Sequence, residues 1–201
     1  MDTVHALLDK AGTTYAEQAG ITLADKPAPL YQLLVLSTLL STRIKADIAV
    51  AAARELKRYG TPQKMLDASW QDRVDALGRA HYVRYDESTA TALGDGARLL
   101  LDEHGGDLRK IRDGDVRAEL RKFPRMGPVG ADIFCREAQA VWPELRPYLD
   151  KKTLDGAKKI GLPAEPDKLA GLTAKKDLPR LAAALVRVSL DRKLADAVRT
   201  A

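Results

Sequence analysis

Residues 122–138 read KFPRMGPVGADIFCREA, from Lys122 to Ala138. Two helical patterns meet here over a bend too tight for an ordinary loop. Pro124 closes the first, Gly127 supplies a residue at ease with positive φ, and Pro128 suits the first turn of the second helix. Gly127, Gly130 and Ala131 keep the start of that second helix small, so a ligand can approach its backbone closely. A helix start leaves N–H groups unpaired and carries the positive end of the helix dipole, which together favour a phosphate oxygen.

The charge around this bend supports the same expectation. The 201-residue chain carries a formal net charge of +5, and Arg109–Lys159 alone holds thirteen Lys/Arg against eight Asp/Glu. The whole excess therefore surrounds the hairpin. A basic zone about a helix N-terminus points to nucleic acid, although a solvated helical surface has the same composition.

Outward from the hairpin the chain reads as helix throughout. Thr3–Gly20 is expected as a first helix, followed by the linker LADKPAP. From Leu30 an apolar stripe at helical spacing runs through Leu33, Leu36, Leu40, Ile44, Ile48 and Ala51. It is expected to break at Ser41–Thr42, where either hydroxyl can cap a new helix. Thr61 with Pro62, then SWQDRVDALGR, then STATALGDGARLLLDEHGG mark three more helices, and DVRAELRKF is the first arm of the hairpin. A last amphipathic helix is expected through LPRLAAALVRVSLDRKLADAV. No alternating strand pattern or repeat occurs.

Composition narrows the function. Hydrophobic residues make up 45% of the chain and aromatics only 5%, which suits a folded helical protein rather than a disordered one. One cysteine, Cys135, excludes an internal disulfide and a cysteine-ligated zinc or iron–sulfur site, and fits a reducing cytoplasm. No apolar run reaches membrane-spanning length, so no membrane association is expected.

A long apolar helix ending in LLST, an LG turn, the tight hairpin and then YLD occur here in the order found in endonuclease III-like DNA glycosylases. Over roughly Pro29–Leu162 the chain resembles this helix-hairpin-helix, Gly-Pro-Asp superfamily. The resemblance implies an all-α fold of two helical lobes with a DNA-binding groove between them. One lobe is expected over residues 30–122, the other over 1–29 with 123–201. It implies a base-excision-repair enzyme acting on double-stranded DNA that contains a damaged or mispaired base, as a monomer in the cytoplasm at the nucleoid.

The resemblance also distributes roles. Asp150 falls on the catalytic carboxylate at a helix start. In chemical terms a carboxylate there stabilises the positive charge that builds on the sugar as an N-glycosidic bond breaks, or orients the attacking water. Asp150 also suits a plain helix cap. Gly127, Val129 and Gly130 fall on the phosphate-binding hairpin, and Arg125 stands where the family usually has glycine. Val129 falls where bifunctional members carry a lysine nucleophile; valine forms no imine, so the expected reaction is hydrolysis without strand cleavage. Lys151 and Lys152 are the alternative amines.

Extruding a base from a duplex requires groups that fill the hole. Arg43 falls at the family's wedge position, and a second wedge loop falls on GRAHYVRY with Arg79, His81 and Tyr82 expected to be exposed. Tyr82, Tyr85 and Tyr148 are candidates to stack on the extruded base, and Lys151 to contact the substrate. His81 has no second ligand at metal spacing. No cofactor is expected beyond a monovalent cation held by hairpin carbonyls, and no iron–sulfur cluster.

Overall fold

The computed structural model describes residues 2–201. In chain order its α-helices are α1 (Thr3–Ala11), α2 (Tyr15–Gln18), α3 (Pro27–Leu40), α4 (Ala46–Leu56), α5 (Pro62–Asp67), α6 (Trp70–Arg79) and α7 (Asp86–His104). They continue with α8 (Val116–Leu120), α9 (Pro128–Ala138), α10 (Lys151–Lys159), α11 (Pro166–Ala170), α12 (Leu178–Leu190) and α13 (Arg192–Arg199). Short 3-10 turns join some of them, and the described residues contain no strand. The fold is all-α.

The chain divides into two compact units. Ala16–Phe134 forms one; the residues up to Tyr15 together with Cys135–Ala201 form the other. The sequence reading set its boundaries at 29/30 and 122/123.

In the Ala16–Phe134 unit, α3 is the central helix. Its residues Leu30, Leu33, Leu36 and Leu39 are fully buried, and Tyr31, Leu34 and Val35 nearly so. A helix buried on all sides must be apolar all round. Ser37 and Thr38 are admitted because their hydroxyls donate to the carbonyls of Leu33 (2.8 Å) and Leu34 (2.9 Å) one turn back. Each buried leucine contributes about 1.5–3 kcal/mol of transfer free energy. Helix α3 packs on α4, α4 on α6, and α7 receives both α5 and α6. Ser69 and Asp72 form a reciprocal capping box at the start of α6, and Gly105 ends α7 at φ 59°.

The other unit is built on α12, against which α1, α10 and α13 pack. Leu7, Leu149, Leu169, Leu181, Leu185 and Val188 belong to its core. Helix α10 crosses α12 closely at Gly156, where an added Cβ would sit on the Leu185 carbonyl oxygen. Arg187 of α12 lies over the Tyr15 ring, 4.3 Å from its centroid, and donates to the carbonyls of Ala11 (2.6 Å) and Thr13. Burial holds the Tyr15 hydroxyl above its ordinary range, with Arg187 pulling the other way.

Two expected helices end differently, and the break expected at Ser41–Thr42 is present with its hydroxyls used otherwise. The first does not run from Thr3 to Gly20: α1 stops at Ala11 and the chain turns at Gly12, where a side chain would collide with the Leu8 carbonyl. Ser41 and Thr42 do not cap α4; their hydroxyls bond back to the carbonyls of Thr38 (2.7 Å) and Leu39 (2.8 Å), closing α3 instead. The C-terminal helix breaks at Asp191, whose Oδ1 accepts from the Leu194 N–H and caps α13.

Candidate functional site

The hairpin begins with α8, capped by Asp115, whose Oδ1 accepts from the Ala118 N–H at 3.1 Å. The chain then reverses, with the Phe123 N–H returned to Leu120 O and the Met126 N–H to Phe123 O, each at 3.1 Å. The left-handed residue of this reversal is Arg125, at φ 63°; Gly127 does not adopt positive φ. The expectation for Gly127 is thus corrected by two positions, because the backbone turns over where Met126 bonds to Phe123 rather than at the mouth of α9. Gly127 is exposed, with open space where a side chain would stand. Gly130 is buried: a Cβ there would meet Met126 Sδ at 2.9 Å and Ser41 Cβ at 3.4 Å. Small size, not φ, is what Gly130 supplies. Pro128 opens α9, and Val129 in its first turn is 62% exposed.

Hydroxyl groups tie this turn to two neighbouring connections of the same unit. The Ser41 hydroxyl shares its one hydrogen between the Thr38 carbonyl (2.7 Å) and Arg125 O (3.2 Å), and Arg125 Nη1 donates to Thr89 Oγ1 (3.0 Å). The Tyr82 hydroxyl lies between Thr42 Oγ1 (2.9 Å) and Thr89 Oγ1 (3.2 Å). Tyr82 is therefore fully buried, contrary to the expectation of an exposed ring ready to stack on a base. Its ring fills the space under the 80–85 turn, and its hydroxyl needs both threonines. The residues that this turn exposes are His81 (at φ 63°), Val83 and Arg84. Arg43 is exposed and, among the described residues, has no carboxylate partner. Arg79 is exposed but engaged: its Nε lies 2.9 Å from Glu55 Oε2, and this hydrogen bond holds its guanidinium above the ordinary range.

Asp150, Tyr148 and Lys151 belong to the other unit. Asp150 is the N-cap residue of α10 through its carbonyl, which accepts from the Leu154 N–H (3.0 Å) and Thr153 Oγ1 (2.6 Å). Its side chain makes no capping bond. Instead Oδ2 accepts from Arg136 Nη1 at 2.8 Å, with the two side chains 13% and 11% exposed. The buried Oδ1 has no donor. Gln139 at the end of α9 grips Tyr148 at both backbone groups, accepting its N–H (3.0 Å) and donating to its carbonyl (3.1 Å). That grip fixes the backbone two residues before Asp150. The Tyr148 ring is half-buried. Lys151 is exposed and ion-paired with Asp155 at 3.0 Å, and this bond holds the Asp155 carboxyl below its ordinary range. Lys152 is exposed.

Sequence reasoning missed three contributors. Thr42 read only as a helix cap, and Thr89 gave no signal, because a threonine within a helical pattern does not show that it is buried. Arg136 read as one more basic residue, and only the fold returns it to a carboxylate fourteen residues on.

No family model and no curated protein sequence matches the chain. Solved structures do. A trapped covalent endonuclease III–DNA intermediate, in an estranged-adenine complex, superposes with a TM-score of 0.52 at 14% identity, over 91% of this chain and 83% of that one. A non-covalent endonuclease III–DNA complex gives 0.53 at 14% identity, over 89% of this chain and 80% of that one. The protein thus has the all-α fold of endonuclease III.

Proposed function

We propose that the protein is a monofunctional DNA N-glycosylase, hydrolysing the bond between a damaged or mispaired base and its sugar after the base leaves the duplex. One observation carries the reading: Asp150 stands at a helix start on the fold of DNA-bound endonuclease III, with one oxygen fixed by Arg136 and the other unused. Fixing Oδ2 sets the plane of the carboxylate, and the buried Oδ1 is the oxygen left to stabilise a cationic sugar or orient a water once the entering nucleotide uncovers it. The exposed first turn of α9 and Arg125 take backbone phosphates, which position the protein without reading sequence. Arg43 and His81 enter the space the base vacates, and Tyr148 with Lys151 contacts the extruded nucleotide. Val129 offers no amine, so no lyase step follows. The enzyme works as a monomer on nucleoid DNA without an iron–sulfur cluster.

A monovalent cation at the hairpin belongs to this proposal. The carbonyls of Phe123 and Arg125 each accept one hydrogen bond, from the Met126 N–H and Ser41 Oγ, and each keeps a second lone pair for a cation. Such an ion adds positive charge beside the phosphate-binding turn.

The Arg136–Asp150 pair also favours a second reading, a glycosylase-like protein that binds distorted DNA without cleaving it, since the arginine neutralises the carboxylate. A panel of duplexes, each carrying one lesion, tests both readings. Strand breaks that appear only after alkali mean base removal without lyase activity. Tight binding with no alkali-labile site on any lesion moves the conclusion to the binding protein. Breaks without alkali, lost in Lys151→Ala or Lys152→Ala, make the enzyme bifunctional.

A further inference from the structure

We propose that Arg84, Tyr85 and Arg125 form a clamp for a backbone phosphodiester of nucleic acid. The clamp rests on the DNA-binding part of the proposed function and extends it to two residues, Arg84 and Tyr85, that the hairpin does not contain.

Both arginines lie over the one ring, with Arg84 Cζ 5.2 Å and Arg125 Cζ 5.8 Å from the Tyr85 centroid. The ring attracts each guanidinium through its negative face and gathers two positive charges around one aromatic. Several other arginines meet carboxylates, Arg79 at Glu55, Arg109 at Asp107, Arg112 at Asp25 and Arg136 at Asp150, while Arg54 and Arg146 donate to backbone carbonyls. Among the described residues no carboxylate pairs with Arg84 or Arg125. Asp86, the residue after Tyr85, turns its Oδ1 to the Glu87 N–H instead. Two exposed guanidiniums gathered at one ring with no carboxylate between them offer an external anion a place to bind.

The pair is also held ready. Arg125 keeps an arginine in left-handed backbone, where glycine would stand without strain. Ser41 fixes its carbonyl, and Thr89, itself bonded to Tyr82, fixes one of its five N–H donors. The other four remain, and a guanidinium fork matches two phosphate oxygens at once. Ordering such a side chain in advance removes an entropic cost from binding. Arg84 and Arg125 are both exposed, so the clamp is open. An open site holds a lone ion weakly, whereas a polymer that already lies along the hairpin delivers its phosphate at high local concentration.

Anisotropy titrations of an undamaged duplex across a salt series test this, with the intact wild type, Arg84→Ala, Arg84→Lys and Arg125→Ala. Arg84→Ala is expected to weaken binding several-fold and to reduce the salt slope by about 0.9, the share of one phosphate. Arg84→Lys should recover the slope and only part of the affinity, because an ammonium lacks the fork. Circular dichroism should show unchanged folding, since the Arg84 side chain is at the surface. Wild-type affinity and slope in Arg84→Ala, while Arg125→Ala weakens binding, would overturn the clamp and leave the DNA reading standing. Absence of salt-dependent binding in the wild type would remove both. Displacement of the duplex by low-millimolar inorganic phosphate would make this a free-anion site and end the polymer assignment.

Discussion

Arg136 reaches forward fourteen residues to hold Asp150 Oδ2 at 2.8 Å, while Oδ1 of the same carboxylate stays buried without a donor. Both side chains are nearly covered, so the pair is only weakly screened. Removing one partner then leaves an uncompensated charge. Arg136→Met is expected to destabilise the fold by about 3–5 kcal/mol in urea denaturation, and Arg136→Met with Asp150→Asn to recover most of that loss. Single and double variants that lose stability equally would mean that Arg136 acts by packing alone.

Tyr31 gives a prediction of pH dependence. Its hydroxyl is buried without a partner, and burial raises its pKa far above the ordinary value of 10.0. The folded chain therefore keeps a proton that the unfolded chain loses above about pH 10. Stability contributed by that difference is complete below pH 10 and declines as pH rises beyond it. Tyr15, also raised by burial, acts in the same direction. Tyr31→Phe removes an unsatisfied hydroxyl and should add about 1 kcal/mol at neutral pH. It should also flatten the alkaline decline, leaving the Tyr15 share. Urea midpoints at pH 8, 10 and 11 check both effects.

Gly156 tests the packing of α10 on α12. A methyl group there cannot be absorbed by a side-chain rotation, because it meets the Leu185 backbone carbonyl. Gly156→Ala should cost about 1–3 kcal/mol despite alanine's better helix propensity. At Gly78, in α6 with open space around it, the same change should be neutral or stabilising. Thermal midpoints that move together for the two variants would contradict the close crossing.

The all-helical fold was legible because apolar spacing and capping chemistry are local. Thr61 with Pro62, and Ser69 with Asp72, cap α5 and α6 as the residue types require. The hairpin was legible as punctuation, but not which residue turns over: Arg125 takes the left-handed position, and the Ser41 and Thr89 that contact it come from far along the chain. Tyr82 failed for the same reason. Nothing adjacent to it in sequence reveals that Thr42 and Thr89 enclose its hydroxyl. Asp150 was legible as a residue at a helix start, while its state depends on Arg136, which no local pattern links to it.

Arg43 and Arg125 should separate by the kind of DNA they affect. In the proposed function Arg125 contacts phosphate, so Arg125→Ala should weaken all duplexes alike and reduce the salt slope by about one phosphate's share. Arg43 is exposed on the 41–45 connection, and its loss should impair lesion-containing DNA selectively. The comparison needs one undamaged and one abasic-site duplex at two salt concentrations. Equal losses from both substitutions would remove the wedge role from Arg43.

The chemistry turns on Asp150 and Val129. If Asp150 stabilises the sugar cation and orients water, Asp150→Asn should abolish base removal and leave DNA affinity intact or improved, because it deletes a negative charge near phosphates. Stability must be measured alongside, since the substitution also leaves Arg136 without its anion. Borohydride should trap no covalent adduct with the wild type, because imine chemistry needs an amine and Val129 has none. Val129 is 62% exposed in the first turn of α9, so a lysine there fits without repacking. Val129→Lys should then yield a borohydride-trapped adduct on an abasic-site duplex, visible as a shifted band on a denaturing gel, and lose it again when Asp150→Asn is added. A wild-type adduct that disappears in Lys151→Ala would place the nucleophile beside Asp150 and refute hydrolysis by water.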